Sequence, residues 1–313
     1  MELDHKGVID QILKKEFNQS AIDIKRMTTG LCNEVYSVSL PNRSVIIRLH
    51  LDGQEMKASE KFIPLFKSLG IQVPDIIASD YSKKSVPFVY QVLTKIDGRD
   101  IGEVIQDLTD RELKDIATEI AKIFRKLEKL PTNGRFGWYS PDKNKTSSSW
   151  IESLENMLKE IKERNSKTGV VGERLIESFE KLIDGNREYF SAVKSICYFD
   201  DICTKNVMVH DGKFSGLVDL DGVAYGDPLE AVGRIKASWF GTHYGDTYTS
   251  AVQDELRLND TERRTVTIYA VLNHIYWLSE NGVQFNQNTS TDINWGKVES
   301  DKKTIEALIN ALN

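Results

Sequence analysis

The spacing of apolar and polar positions changes character along the chain. Residues 6–17 read as a short helix, and strand-like stretches follow at 22–28, 35–40 and 44–49. The last two are joined by Pro41-Asn42-Arg43 as a hairpin connection. Helical spacing covers 54–69 and stops at Gly70, after which Val73-Pro74 resumes extended chain. Residues 87–93 form an apolar strand, and Lys95-Ile96-Asp97-Gly98 reads as a linker. Beyond Gly98 helices dominate. Thr109-x-x-Glu112 is a capping box. It opens a helix in which Leu113, Ile116, Ile120, Ile123, Phe124 and Leu127 recur at steps of three and four, one buried stripe. Pro131 ends it. Ser149-x-x-Glu152 is a second capping box, ahead of Trp150, Leu154, Met157, Leu158 and Ile161, and further helices are expected at 173–183, 247–258, 261–280 and 300–312. One β-rich island, 196–220, interrupts them. The pattern predicts an α+β chain of two lobes: a small mixed lobe with its linker over 1–96 and a larger, mainly helical lobe over 97–313.

Composition fits that picture. The 313 residues are 40% hydrophobic and 28% charged, enough chain for two lobes and a core that needs no staples. The three cysteines (Cys32, Cys197 and Cys203) are odd in number and scattered, which suits a reducing, cytoplasmic setting better than a disulfide framework. The charged first residues offer no secretory signal. The longest apolar run, 266–278, is broken by Asn273 and His274, so no membrane span is expected. A net charge of -6 argues against nucleic acid as a partner and leans toward a cationic ligand.

The island carries the chemistry. Asp211-Gly212 between two alternating runs marks a two-residue hairpin turn. With that loop His210 lies opposite Lys213, Asn206 opposite Leu217, and Asp219 diagonal to Asn206 on the same face. Asp201 sits in the loop that feeds the strand. A one-residue bulge would flip part of this arrangement. Two carboxylates and a carboxamide together suit a small hard cation, since magnesium takes one or two protein oxygens beside substrate phosphates. An acid left outside the metal shell accepts a hydroxyl proton. D-x-x-x-x-N, a hairpin and then D-x-D is the order found in phosphoryl-transfer loops. There is no G-x-x-x-x-G-K string, which argues against a P-loop. Asp219-Leu-Asp in place of D-F-G, with no A-P-E after it, argues against a protein kinase.

With these residues the chain resembles the aminoglycoside phosphotransferase and choline kinase-like family, over about residues 20–280. The strongest stretch is Phe199-Asp200-Asp201-x-x-x-x-Asn206 followed by Val218-Asp219 and Gly226-Asp227-Pro228, where the family has H-G-D-x-x-x-x-N and I-D-x-x-x-x-x-G-D-P. The resemblance implies a protein-kinase-like fold, Mg2+, and ATP or GTP as phosphoryl donor. It implies Asp201 as catalytic base and Asn206 and Asp219 as metal ligands. It places Thr29 and Gly30 in the loop over the nucleotide and Arg48 where a strand lysine holds phosphates. Glu60, with Glu55 as the alternative, would pair with Arg48, and the backbone of Thr94 and Ile96 would meet the purine. Phe199 and Asp200 depart from the pattern, the first touching loop geometry and the second adding a charge beside the base.

The acceptor implied is a small hydroxylated molecule, aminoglycoside-like first, with choline or another small metabolite as the alternative. A non-catalytic nucleotide-binding relative is the third reading. Asp200, Asp221 and Glu230, with Asp246 and Glu280, are the acids available for a polycation. Trp239, Tyr244, Tyr276 and Trp277 are the aromatics available for a quaternary ammonium. Phe136-Gly137-Trp138 and Trp150 read as core of the helical lobe. His243 and His274 have no ligand-spaced partner and read as structural.

Overall fold

The structure, a computed structural model, describes residues 4–312 apart from 29, 31–32, 54–55 and 143–144. Helix α1 (His5–Phe17) buries Val8, Ile9, Ile12 and Leu13, a single face at helical spacing, and ends where Asn18 turns left-handed. That face covers an antiparallel five-stranded sheet of β1 (Asp23–Met27), β2 (Glu34–Leu40), β3 (Arg43–His50), β4 (Ile76–Asp80) and β5 (Val89–Thr94), in the order β1-β2-β3-β5-β4. Strand β2 alternates buried and half-buried residues, as a strand with one face on a core should. Helix α2 (Met56–Ser68) lies between β3 and β4 and puts Phe62 and Phe66 into the core of the second lobe, where Phe66 meets Phe199 edge-on at 6.4 Å.

The helical lobe follows. Its elements are β6 (Arg99–Asp100), α3 (Ile101–Val104), α4 (Asp110–Leu127), β7 (Gly137–Trp138), α5 (Trp150–Thr168), α6 (Glu173–Gly185), α7 (Arg187–Ala192), β8 (Ile196–Phe199), β9 (Val207–His210), β10 (Lys213–Leu217), β11 (Val223–Gly226), α8 (Leu229–Trp239), α9 (His243–Leu256), α10 (Asp260–Ser279) and α11 (Trp295–Asn310). Two small sheets, β10-β9-β6 and β7-β11-β8, sit among these helices. The capping box of α4 forms in both halves. At α5 Ser149 caps Glu152 as expected, but the Glu152 carboxylate returns to the Ser148 amide at 2.6 Å, one residue earlier than a box requires. Helix α8 was not expected. It is buried on nearly every side, Glu230 and Arg234 included, so it shows no one-sided stripe. Among the described residues no helix is long and apolar enough to cross a membrane.

The hairpin corrects one expectation. Asp211 and Gly212 both have left-handed backbone, at φ 47° and 72°, as the tight turn demands. Lys213 faces His210 and Phe214 faces Val209, as read from the sequence. Ser215 then bulges, so Gly216 faces Met208 and Leu217 faces Val207. Asn206 is therefore opposite Val218, whose amide donates to its carbonyl at 3.0 Å, and not opposite Leu217. The Ser215 hydroxyl ties the bulge to the Asp97 carbonyl at 2.7 Å.

Candidate active site

The bulge decides where the acids go. Asn206 and Val218 share a backbone hydrogen bond, and Asp219 is the next residue. It is held left-handed at φ 57°, a conformation uncommon outside glycine and concentrated at functional sites. The Asn206 amide nitrogen donates to Asp201 twice, to its carbonyl at 3.1 Å and its Oδ2 at 2.5 Å. That leaves the amide oxygen as the atom Asn206 can offer a cation. Asp201 and Asp219 keep 44% and 42% of their side-chain surface exposed, so both are open to a ligand. Among the described residues no three His, Cys, Asp or Glu side chains converge as a self-sufficient metal cage. Magnesium does not need one, because phosphates and water complete its shell, and the donor set of Asn206 and Asp219 fits it.

Phe199 and Asp200 are both accommodated. Phe199 is buried on β8 opposite Val223, so the aromatic ring replaces a polar scaffold residue with packing. Asp200 is 2% exposed and does not look outward. It accepts from the Trp138 indole nitrogen and pairs with Arg234 at 3.0 Å. Arg234 also donates to Glu230 at 2.8 Å and lies 4.0 Å from Asp201. Burial pushes the Asp200 carboxyl upward and Arg234 pulls it back. Burial likewise works against the charge on Arg234, but Asp200, Glu230 and Asp201 reverse that. Asp200 and Glu230, both expected as substrate acids, thus spend charge on an internal arginine. Glu230 nevertheless keeps one buried oxygen, Oε2, without a hydrogen-bond partner. It lines a cavity of about 400 Å³ with Asp200, Arg234, Trp138, Tyr276 and Glu160.

Arg48 is the other centre. It is 3% exposed and extends from β3 to the Asp219-Leu220-Asp221 turn. It reaches Asp219 at 2.9 Å, contacts Asp221 with both terminal nitrogens, and donates to Ser59 at 3.0 Å and Gln91 at 3.3 Å. The expected pair with Glu60 does not form. Helix phase turns Ser59 toward Arg48, and Glu60 accepts from Ser79 at 2.5 Å instead. Glu55 and Thr29 lie outside the described residues. Asp221, expected on the acceptor side, also accepts from Asn33 at 3.2 Å and faces the sheet lobe. The Gly30 carbonyl accepts from Asn286 and Asn288. At the linker the Thr94 amide, expected to meet a base, donates to the Asp75 carbonyl at 2.9 Å.

The remaining candidates scatter. Asp246 belongs to a separate groove with Asp110 and Arg257. Glu280 is 3.9 Å from Arg164, and burial raises its carboxyl. Trp239 packs on Tyr248 and Trp277 on His274, so the four aromatics form no cage; Tyr276 pairs with Trp138 at 6.0 Å. His243 and His274 sit 3.2 and 3.7 Å from Asp110 and Asp301. Cys197 and Cys203 are buried free thiols, and burial pushes Cys197 up to about 12, which makes it inert. Sequence reasoning missed Ser59, Asn33 and Arg234. Only Arg234 had a signal: a carboxylate directly after the apolar strand 196–199 calls for a cation.

A sheet lobe and a helical lobe that meet at D-x-x-x-x-N and D-x-D define the class of kinase-like phosphotransferases. The family comparison agrees: the model APH, phosphotransferase enzyme family, matches residues 23–265, and the chain belongs to that family. Its fold is similar to that of the apo crystal structure of a thermostable mutant of aminoglycoside phosphotransferase APH(4)-Ia, at TM-score 0.72 and 14% identity over 96% of this chain and 98% of that one. It is similar to the GDP complex of aminoglycoside 2'-phosphotransferase-IIIa, at TM-score 0.71 and 13% identity over 97% and 98%. ADP-bound aminoglycoside phosphotransferase APH(2'')-Ib is a third, at 0.65 and 12% over 97% of each chain. No curated protein sequence matches.

Proposed function

We propose that the protein transfers the γ-phosphoryl group of ATP or GTP to a hydroxyl of a small, amine-bearing molecule. The observation that carries this is the pairing of two exposed acids, Asp201 and Asp219, with Asn206 locked to the first and Arg48 to the second. In this reading Asp201 orients the acceptor hydroxyl and takes its proton. Arg48 lies against the donor phosphates. Gly30, ahead of β2, and the backbone near Thr94 and Ile96 hold the nucleotide. Asn206 and Asp219 would hold magnesium, which when bound offsets charge on the transferring phosphate. Positioning and electrostatics supply the rate, with no covalent enzyme intermediate.

The cavity beside Asp200 supports this acceptor class. Its buried Glu230 Oε2 wants a donor, and an ammonium or hydroxyl supplies one. The relatives include APH(4)-Ia solved with AMP-PNP and hygromycin B, which supports an aminoglycoside-like acceptor. The Trp138–Tyr276 pair on the same cavity keeps choline as the second reading. The test is a coupled assay of phosphoryl transfer with magnesium and ATP or GTP across aminoglycosides, choline and simple sugars. Signal that depends on one acceptor class and falls by roughly a thousandfold or more in Asp201→Asn is expected. Transfer that survives Asp201→Asn would overturn the role of the base.

A further inference from the structure

A buried guanidinium needs a fixed anion, and its direction is set by where that anion sits. Helix α2 contains one carboxylate, Glu60, and it is turned to Ser79. What α2 offers Arg48 is a hydroxyl, Ser59. The anion comes from the other lobe. Asp221 meets both terminal nitrogens of Arg48, accepts from Ser59 on Oδ1, and accepts from Asn33 on Oδ2. It is 15% exposed, against 42% for Asp219, its neighbour but one. Both acids present a carboxylate to Arg48, but Asp221 is half-buried and fully engaged whereas Asp219 keeps more of its surface in the cleft. Burial opposes the charge on Arg48, and Asp221 ahead of Asp219 holds it protonated.

We propose that Asp221 is the positioning residue for Arg48, replacing a carboxylate on the helix, and that the Asp219-Leu220-Asp221 turn divides its labour. Asp219 serves the cation; Asp221 keeps the guanidinium aimed at the nucleotide phosphates. Through the Ser59 hydroxyl the same carboxylate fixes α2 against the turn, and through Asn33 it fixes the segment that covers the nucleotide. The inference rests on the nucleotide role proposed for Arg48.

Calorimetric titration of the full chain with ADP, without acceptor, separates the possibilities, once in magnesium and once in EDTA. Asp221→Asn should weaken ADP roughly tenfold in both conditions. Asp219→Asn should weaken it far more in magnesium than in EDTA, where only its contact with Arg48 is lost. In an Arg48→Ala background Asp221→Asn should add no further loss, because both act through one contact. Ser59→Glu combined with Asp221→Asn, which returns the carboxylate to α2, should restore affinity; this variant also decides the matter should Asp221→Asn alone fail to fold. A loss confined to magnesium would make Asp221 a metal ligand and overturn the proposal. So would wild-type affinity in Asp221→Asn, or a folded double variant that binds no better than the single one. If the wild type binds no ADP in either condition, the nucleotide reading of Arg48 falls and this inference with it, whereas binding by the wild type with an indifferent Asp221→Asn sinks the inference alone.

Discussion

Asp200 shows how one residue type changes a site's energetics. On sequence it stands beside the base as a free charge, and replacing it with glycine looks harmless. In the fold it shares Arg234 with Glu230 and takes the Trp138 indole donor. Removing one member of a buried charge cluster strands the others and typically costs about 3–5 kcal/mol. Arg234→Met should therefore destabilise the protein by that amount in urea unfolding, and Arg234→Met with Asp200→Asn and Glu230→Gln should recover much of it. A single variant as stable as wild type would mean the cluster is not desolvated as drawn. The local spacing of Asp201, Asn206 and Asp219 was legible because their juxtaposition needs only a hairpin. The partners of Arg48 were not legible: choosing Ser59 over Glu60 depends on the exact helix phase, and choosing Asp221 depends on how two lobes meet.

Elements were legible where one face is buried and the other wet. Helix α4 is the clearest case, with its apolar stripe and a complete Thr109–Glu112 box. Thr109→Ala should lower stability by about 1 kcal/mol in a denaturant melt and leave nucleotide binding unchanged, since the cap is exposed and its Glu112 meets the hairpin at the Gly212 turn, the end opposite Asn206 and Asp219. An unchanged midpoint would show that α4 is held by packing alone. Helix α8 escaped because burial on all sides erases periodicity. The bulge at Ser215 escaped because a two-residue turn fixes register only next to itself. Gly226 shows a further limit: an added Cβ there would overlap the Trp150 ring, a close approach between residues far apart in sequence that no spacing rule reports.

At the scale of the molecule the lobes are linked at the back by residues 95–98 and at the front by the segment between α10 and α11. That segment folds on itself through Thr289, whose hydroxyl accepts from the Phe285 and Asn286 amides at 2.7 and 3.1 Å. It then crosses to the sheet lobe. Asn286 donates to the Gly30 and Asn33 carbonyls at 3.1 and 3.3 Å, Asn288 donates to Gly30 at 2.8 Å, and the Gln287 amide donates to Glu34 at 3.1 Å. A carbonyl outside helix and sheet otherwise looks to water, so these side chains act as a strap on Gly30 and Asn33. Each bond contributes about 1 kcal/mol net. Replacing Asn286 and Asn288 together with alanine should speed amide hydrogen exchange at 33–36 and 283–290 roughly tenfold, while α4 stays as protected as before. Exchange at 33–36 that does not change would mean that the β2 ladders and the Asn33–Asp221 contact hold this segment without the strap, which then follows the lobes without tying them.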